Sequence, residues 1–298
     1  SAFSFCVVFV YTYFLGSLFV GGDQTHYRLV YDSLGELGFF EGYLFYKTII
    51  YTDEIGHYLI TWLASQVFDK DFFNAIVNGI FALFSVRVFV RWGARPVIAM
   101  FLVVFGYYFL ALYLSAERLK YASVFFVMAI YYFPFFRSSY FIFFAAVVTH
   151  LQYVILIICY FFDRFMKAIF HIFGRFTIRV SDLLLLAFGL ASMLGVFLFF
   201  FDHIFHKIYA YNKSFDPYEY LRMFGFFLLS LYYSNKKTQV LSVFFVLFCF
   251  VVVVGGMRVN IFGYFVFLYY ALRVNGGFNF GVISTFLYFF LGWFEYSY

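Results

Sequence analysis

Five side chains in this sequence are of the types needed to hold an anion and move a proton: Asp23, Glu54, Arg118, His150 and Arg258. A guanidinium stays charged at any working pH and grips phosphate oxygens in pairs, so Arg118 and Arg258 suit an anion. A carboxylate or an imidazole accepts a proton, so Asp23, Glu54 and His150 are candidate bases. Arg118 lies in Leu-Ser-Ala-Glu-Arg-Leu-Lys-Tyr-Ala (Leu114–Ala122), a charged knot between two apolar runs. Charges there cost a few kcal/mol each if they lie inside a membrane. In a purely structural role each arginine would pair with a local acid, Arg118 with Glu117 or Asp23. His150 interrupts another apolar run together with Thr149 and Gln152. Asp53 and Glu54 are adjacent, and two carboxylates in a partly desolvated site raise the pKa of at least one.

Other chemistries find less support. His203 and His206 lack further ligands at fixed spacing, so no metal site is expected. Cys6, Cys159 and Cys249 lie in apolar runs without a spacing pattern and read as plain buried thiols. No phosphate-binding glycine loop or haem motif stands out, and no cofactor is expected.

These residues must be positioned by a greasy scaffold. The chain has 298 residues, 65% hydrophobic and only 12% charged, with a mean hydropathy of +0.91. A soluble domain carries roughly 25% charged residues. The composition therefore predicts an all-α, polytopic membrane protein, a single integral membrane domain over 1–298. The apolar runs are continuous, which excludes the alternating pattern of a membrane β-barrel. The net charge of +5 comes mostly from short loops and sets topology; it gives no reason to expect nucleic acid. The 54 Phe and 29 Tyr are so abundant that no single aromatic side chain points to a site.

Taken in order, Ala2–Val20 is the first expected span. A polar external loop and an interfacial or re-entrant helix follow, at about residues 21–71. Phe72–Val90 is a second span, ending at Arg87, Arg91 and Arg95, which the positive-inside rule makes cytoplasmic. Val97–Leu114 crosses outward and Leu119–Phe133 returns to Arg137. Tyr140–Phe162 is read as two half-spans with His150 at the external turn. Leu183–Phe201 goes out to a loop at Asp202–Pro217, Tyr220–Tyr233 returns, Val240–Val254 goes out to Arg258, Ile261–Leu272 returns and Phe280–Trp293 crosses last. The total is roughly ten to eleven transmembrane or re-entrant helices, with no internal repeat. In this topology Asp23, Asp53, Glu54, His57, Glu117, Arg118, His150 and Arg258 lie near the external face.

The blocks around these residues resemble the EpsG/Wzy-type polysaccharide polymerases of bacterial membranes. A Gly-x-Asp-Tyr-x-x-Tyr pattern in the first external loop corresponds to Gly21-Gly22-Asp23-Gln24-Thr25-His26-Tyr27, with Gln24 in place of the Tyr. Glu-Pro-Gly-Tyr corresponds to Glu54-Ile55-Gly56-His57, without the Pro. Ile-Arg-Gln-x-x-Ala corresponds to Glu117-Arg118-Leu119-Lys120-Tyr121-Ala122, and Ala-x-x-Phe-His to Ala146-Val147-Val148-Thr149-His150. The late Arg-Ile-x-x-Tyr-Phe corresponds to Arg258-Val259 followed by Tyr264-Phe265.

The resemblance implies a GT-C-like bundle in the bacterial cytoplasmic (inner) membrane. It implies a metal-independent glycosyltransferase that moves a growing glycan from undecaprenyl diphosphate onto the next lipid-linked oligosaccharide repeat unit at the outer face. Donor and acceptor are both undecaprenyl-diphosphate-linked, and a chain-length regulator is an expected protein partner. Arg118 and Arg258 would meet the leaving diphosphate. Glu54, Asp23 and His150 all remain candidates for the base. An O-antigen ligase-like transferase and a flippase of lipid-linked oligosaccharide are the alternatives.

Overall fold

The computed structural model describes residues 1–133, 139–175 and 216–293, and among them the chain is all helical, without a strand. The expected Arg137, the span at 183–201 and residues 202–215 with His203 and His206 lie outside the described residues. The chain packs as two compact units. The first takes in residues 1–133, 139–153 and 272–293; the second takes in 154–175 and 216–271.

In the first unit α1 (Ala2–Leu18) packs against α5 (Lys70–Arg91). The approach is close because Gly79 of α5 lies under the Phe5 ring, where a Cβ would come within 2.7 Å. Asp69 caps α5, its carboxylate accepting from the Asp71 and Phe72 amides at 2.9 and 3.0 Å. At 22 residues α5 is about 33 Å long, the thickness of a hydrocarbon layer. It is the one helix among the described residues that is long and apolar enough to cross a membrane.

Two bent helix pairs meet the same test only if each is counted as one span. The first is α1 with α2 (Asp23–Leu34), bent by 97°, and the second is α6 (Pro96–Phe105) with α7 (Tyr107–Leu114), bent by 49°. The sequence suggested one continuous crossing over the second pair. Gly106 breaks it: its backbone is extended (ψ 129°), and a Cβ there would stand 2.3 Å from the Leu102 carbonyl oxygen.

The polar stretch after residue 21 was expected to be mostly loop, and it is mostly helix. In α2 the buried residues Gln24, Tyr27, Val30, Tyr31 and Leu34 recur with helical spacing. With α3 (Phe39–Ile50) and α4 (Ile55–Ser65) they form a small core of Val30, Leu34, Tyr46 and Tyr58, flanked by Trp62. At 11 residues α4 is short for a crossing. The Arg28 guanidinium ties the bend between α1 and α2 to the start of α5, donating to the Gly16 carbonyl at 2.6 Å and to Asp71 at 2.7 and 3.1 Å.

Helix α8 (Glu117–Tyr132) runs parallel to α5. Near their starts Lys120 Nζ donates to Asn74 Oδ1 at 2.8 Å, and near their ends Arg91 Nη1 donates to the Tyr131 carbonyl at 2.5 Å. Helix α9 (Ser139–Thr149) packs on α8 and α4 and stops at His150, where a short 3-10 turn over Leu151–Tyr153 follows. The last stretch of chain returns to this unit. The Arg95 amide donates to the Gly276 carbonyl at 2.8 Å, and Phe289 packs on Tyr107 and Tyr108 with ring centres 5.4 and 4.9 Å apart.

The second unit holds α10 (Val154–Arg175), α11 (Pro217–Tyr233), α12 (Lys237–Val254) and α13 (Gly256–Ala271), and α14 (Phe280–Trp293) belongs to the first. Asp216 caps α11 through the Tyr218 amide at 2.9 Å, with Pro217 at the first helical position. Gly263 of α13 fits against the Met223 sulfur, 2.7 Å from where a Cβ would stand.

Candidate functional site

Glu54 is the hub of a charged cluster in the first unit. It ends the loop before α4, and its two carboxylate oxygens have different partners. Oε2 accepts from Arg118 Nη1 at 3.0 Å, and Oε1 stands 2.5 Å from His150 Nδ1. The Leu151 amide also reaches Oε1, at 3.4 Å. Arg118 is held on a second side, its Nε donating to the Tyr27 hydroxyl at 2.9 Å. The partner is thus Glu54, 64 residues away in sequence, where a structural reading of the sequence offered Glu117 or Asp23.

Three local features bring these groups together. Arg118 occupies the first turn of α8, which starts at Glu117 after the end of α7. His150 sits where α9 ends. Gly56 lets the start of α4 press directly onto that end: a Cβ there would lie 2.7 Å from the Thr149 nitrogen and 2.8 Å from the Val148 carbonyl carbon.

Beneath Glu54 lies a second tier, almost wholly buried. Glu117 and His57 are each 1% exposed, and Lys70 is 3% exposed. Lys70 Nζ stands 3.1 Å from Glu117 Oε2 and donates to Gln24 Oε1 at 3.4 Å. His57 Nδ1 pairs with the Tyr46 hydroxyl at 3.0 Å, while its Nε2 stops 3.8 Å from Glu117 Oε1. The His57 ring stacks on Tyr121, whose hydroxyl shares Asn74 Oδ1 with Lys120.

The electrostatics follow from this packing. Burial alone would push the Glu54 carboxyl up, but His150 and Arg118 outweigh it and hold the group well below the usual carboxylate range. The expectation of a raised pKa in the Asp53–Glu54 pair fails for Glu54 for that reason. Asp53 turns away to an exposed ion pair with Lys47 at 2.5 Å. Burial pushes His57 down to about 3, so it is neutral at pH 7. Glu117 stays ionised: burial raises its pKa, but the charges facing it, Lys70 first and then Lys120, hold it below the usual carboxylate value.

The remaining sequence candidates are placed as follows. Asp23 is exposed in the first turn of α2, one turn before Tyr27. Arg258 is half-buried in the first turn of α13, in the second unit. There Glu219 accepts from Arg222 at 3.0 Å and from the Asn260 amide, and Gly256 lies against the Glu219 side chain. The sequence reading passed over Lys70 and Tyr46. Lys70 had a signal: a cation at the first position of a helix opposes the dipole and needs a reason. Among the described residues no group of three or more metal-ligating side chains occurs.

No protein-family model, curated protein or solved structure matches this chain.

Proposed function

We propose that the chain is a multi-pass membrane glycosyltransferase that moves a glycan from a polyprenyl diphosphate onto a lipid-linked acceptor sugar, as a polysaccharide polymerase does. The observation that carries this reading is the triad Arg118–Glu54–His150: an anion-binding group joined through one carboxylate to a proton-accepting group. In such a transfer the acceptor hydroxyl attacks the anomeric carbon, the bond to the diphosphate breaks, and the hydroxyl proton must go to a base. A carboxylate that holds both an arginine and a histidine is a weak base. Arrival of the diphosphate draws Arg118 away, leaves Glu54 to orient His150, and restores basicity to that pair.

The charge balance supports an anionic ligand. Arg118, Lys70 and Lys120 face Glu54 and Glu117, so these five groups leave one excess positive charge before His150 is counted. Placement supports an interfacial reaction. The cluster lies at the start of the 33 Å helix α5, and Arg87 and Arg91 lie toward its end, with Arg95 just beyond. The positive-inside rule then sets Glu54 and Arg118 at the outer face of a cytoplasmic membrane. Among the titratable groups of the cluster Glu54 and Arg118 have the most exposed side chains, at 12% and 14%, so a ligand meets them first.

The test is a ladder assay with purified protein and a polyprenyl-diphosphate-linked repeat unit, without nucleotide or metal. The wild type should extend the unit, and Arg118→Ala should leave single units on the carrier. Transfer of the intact unit across vesicles without extension would instead make the protein a flippase, a reading that the fully buried Glu117–Lys70–His57 group favours.

A further inference from the structure

Gln152 follows His150 by two residues and is 7% exposed, yet neither its amide oxygen nor its amide nitrogen has a partner among the described residues. Its neighbours in the same turn are all engaged. The Thr149 hydroxyl donates to the Ala145 carbonyl at 2.7 Å, His150 Nδ1 and the Leu151 amide converge on Glu54 Oε1, and the Tyr153 hydroxyl meets Ser123 at 2.6 Å. The Tyr153 amide closes the turn on the His150 carbonyl at 3.1 Å. A buried amide offers two donor hydrogens and an acceptor oxygen, and leaving them unmet is costly. The unmet buried atoms of His57 and Glu117 at least face a polar neighbour: His57 Nε2 and Glu117 Oε1 stand 3.8 Å apart, and Glu117 Oε2 lies 3.1 Å from Lys70 Nζ. Gln152 has no such counterpart among the described residues.

We propose that Gln152 is the sugar-recognising residue of the Glu54–His150 site, its amide taking an adjacent donor–acceptor pair on a glycosyl residue of the lipid-linked substrate. Two arrangements on a sugar present that pair side by side: an acetamido N–H next to the oxygen of a neighbouring ring hydroxyl, and two neighbouring hydroxyls. The turn that carries Gln152 also delivers two hydrogen-bonding groups to Glu54, His150 Nδ1 and the Leu151 amide, which ties the two positions into one short segment. The inference rests on the reading of this site as a lipid-diphosphate transferase.

The experiment compares three soluble probes on the full chain in detergent: farnesyl diphosphate, and farnesyl diphosphate carrying either glucose or N-acetylglucosamine. Affinity and Tm are measured for the wild type, Gln152→Leu and Arg118→Ala, with Gln152→Met as the substitute should the leucine variant fail to fold. The wild type should bind at least one sugar-bearing probe more tightly than farnesyl diphosphate. Gln152→Leu should weaken that probe roughly tenfold, the worth of one or two neutral hydrogen bonds. It should leave farnesyl diphosphate unchanged and raise Tm, because an unmet polar group has been replaced by an apolar one of similar size. Arg118→Ala should weaken all three probes. The sugar that loses affinity distinguishes the acetamido group from the hydroxyl pair. A lower Tm in Gln152→Leu would show a structural partner and overturn the proposal. Unchanged affinity for both sugar probes, or equal loss on all three, would overturn it as well. A wild type that ignores the sugars sinks Gln152 alone, and a wild type that binds no probe sinks the transferase reading with it.

Discussion

The Glu54 carboxylate and the His150 imidazole meet at 2.5 Å across 96 residues of chain, and they do so because Gly56 has no side chain. Gly56→Ala would place a carbon against the Thr149 and Val148 backbone, which cannot turn aside as a side chain can. The end of α9 must then move away from Glu54. Overpacking of this kind costs about 1–3 kcal/mol of stability, and a displacement of about 1 Å at a reacting group costs on the order of 100-fold in rate. Parallel Tm and ladder assays check this. Full activity in Gly56→Ala would detach the Glu54–His150 contact from the chemistry.

Arg118 works in two directions, to Glu54 and to Tyr27, and only a planar fork can do both. Arg118→Lys should therefore behave nearly as badly as Arg118→Ala in diphosphate binding. A double-mutant cycle of Arg118→Ala with Glu54→Gln should show coupling of about 1.5–3 kcal/mol in stability, as for a hydrogen bond to a charged group. Coupling near zero, read from thermal or denaturant unfolding, would mean that solvent screens the pair.

The lower tier should be fragile to single changes and tolerant of paired ones. Glu117→Gln leaves Lys70 buried without its carboxylate and should cost about 3–5 kcal/mol. Adding Lys70→Met should recover much of that loss, since the uncompensated charge is gone. Unfolding of the two single variants and the double variant decides the matter; strictly additive losses would argue against a direct Glu117–Lys70 interaction.

His57 should make the protein sensitive to acid. Its pKa falls from an unfolded value near 6.5 to about 3, so between these values the unfolded chain binds a proton that the folded chain refuses. Stability therefore falls as pH drops below about 6.5, by about 2 kcal/mol at pH 5 from this group alone. Glu54 contributes in a different window. Its pKa is lowered, so its stabilisation is complete above the unfolded carboxylate value near 4.3 and fades only at lower pH. His57→Gln keeps a group that can face Tyr46 and should flatten the slope between pH 5 and 6.5. An unchanged slope would assign the acid sensitivity to another histidine.

Much of the scaffold is legible in the sequence because lipid-like composition and helical periodicity act locally. The long apolar helix over 72–90, the interruption at His150 and the short α4 can all be read from runs of apolar residues and their breaks. The helices α2 and α3 are harder, because the density of polar residues after position 21 masks the regular return of Gln24, Tyr27, Val30, Tyr31 and Leu34. The break at Gly106 is invisible for a different reason, since a single glycine among apolar residues reads equally well as helix. The candidate residues Glu54, Arg118 and His150 stand out by type, as charge or imidazole among apolar neighbours. Their pairing does not, because which acid meets Arg118 depends on how α4, α8 and α9 stack. Gln152 is the plainest case: its neighbourhood marks it as polar in a greasy run, but only the packed structure shows its amide without a partner among the described residues.

The return of residues 272–293 to the first unit has a consequence for how the protein is made. The ribosome releases α1 to α9 first, then the whole second unit, and only afterwards the helix whose Phe289 covers Tyr107 and Tyr108. Until then that side of α7 waits for its natural cover. A stop codon placed shortly before Phe280 would therefore spare every residue around Glu54 and still leave a protein that the cell's quality-control machinery has reason to detain.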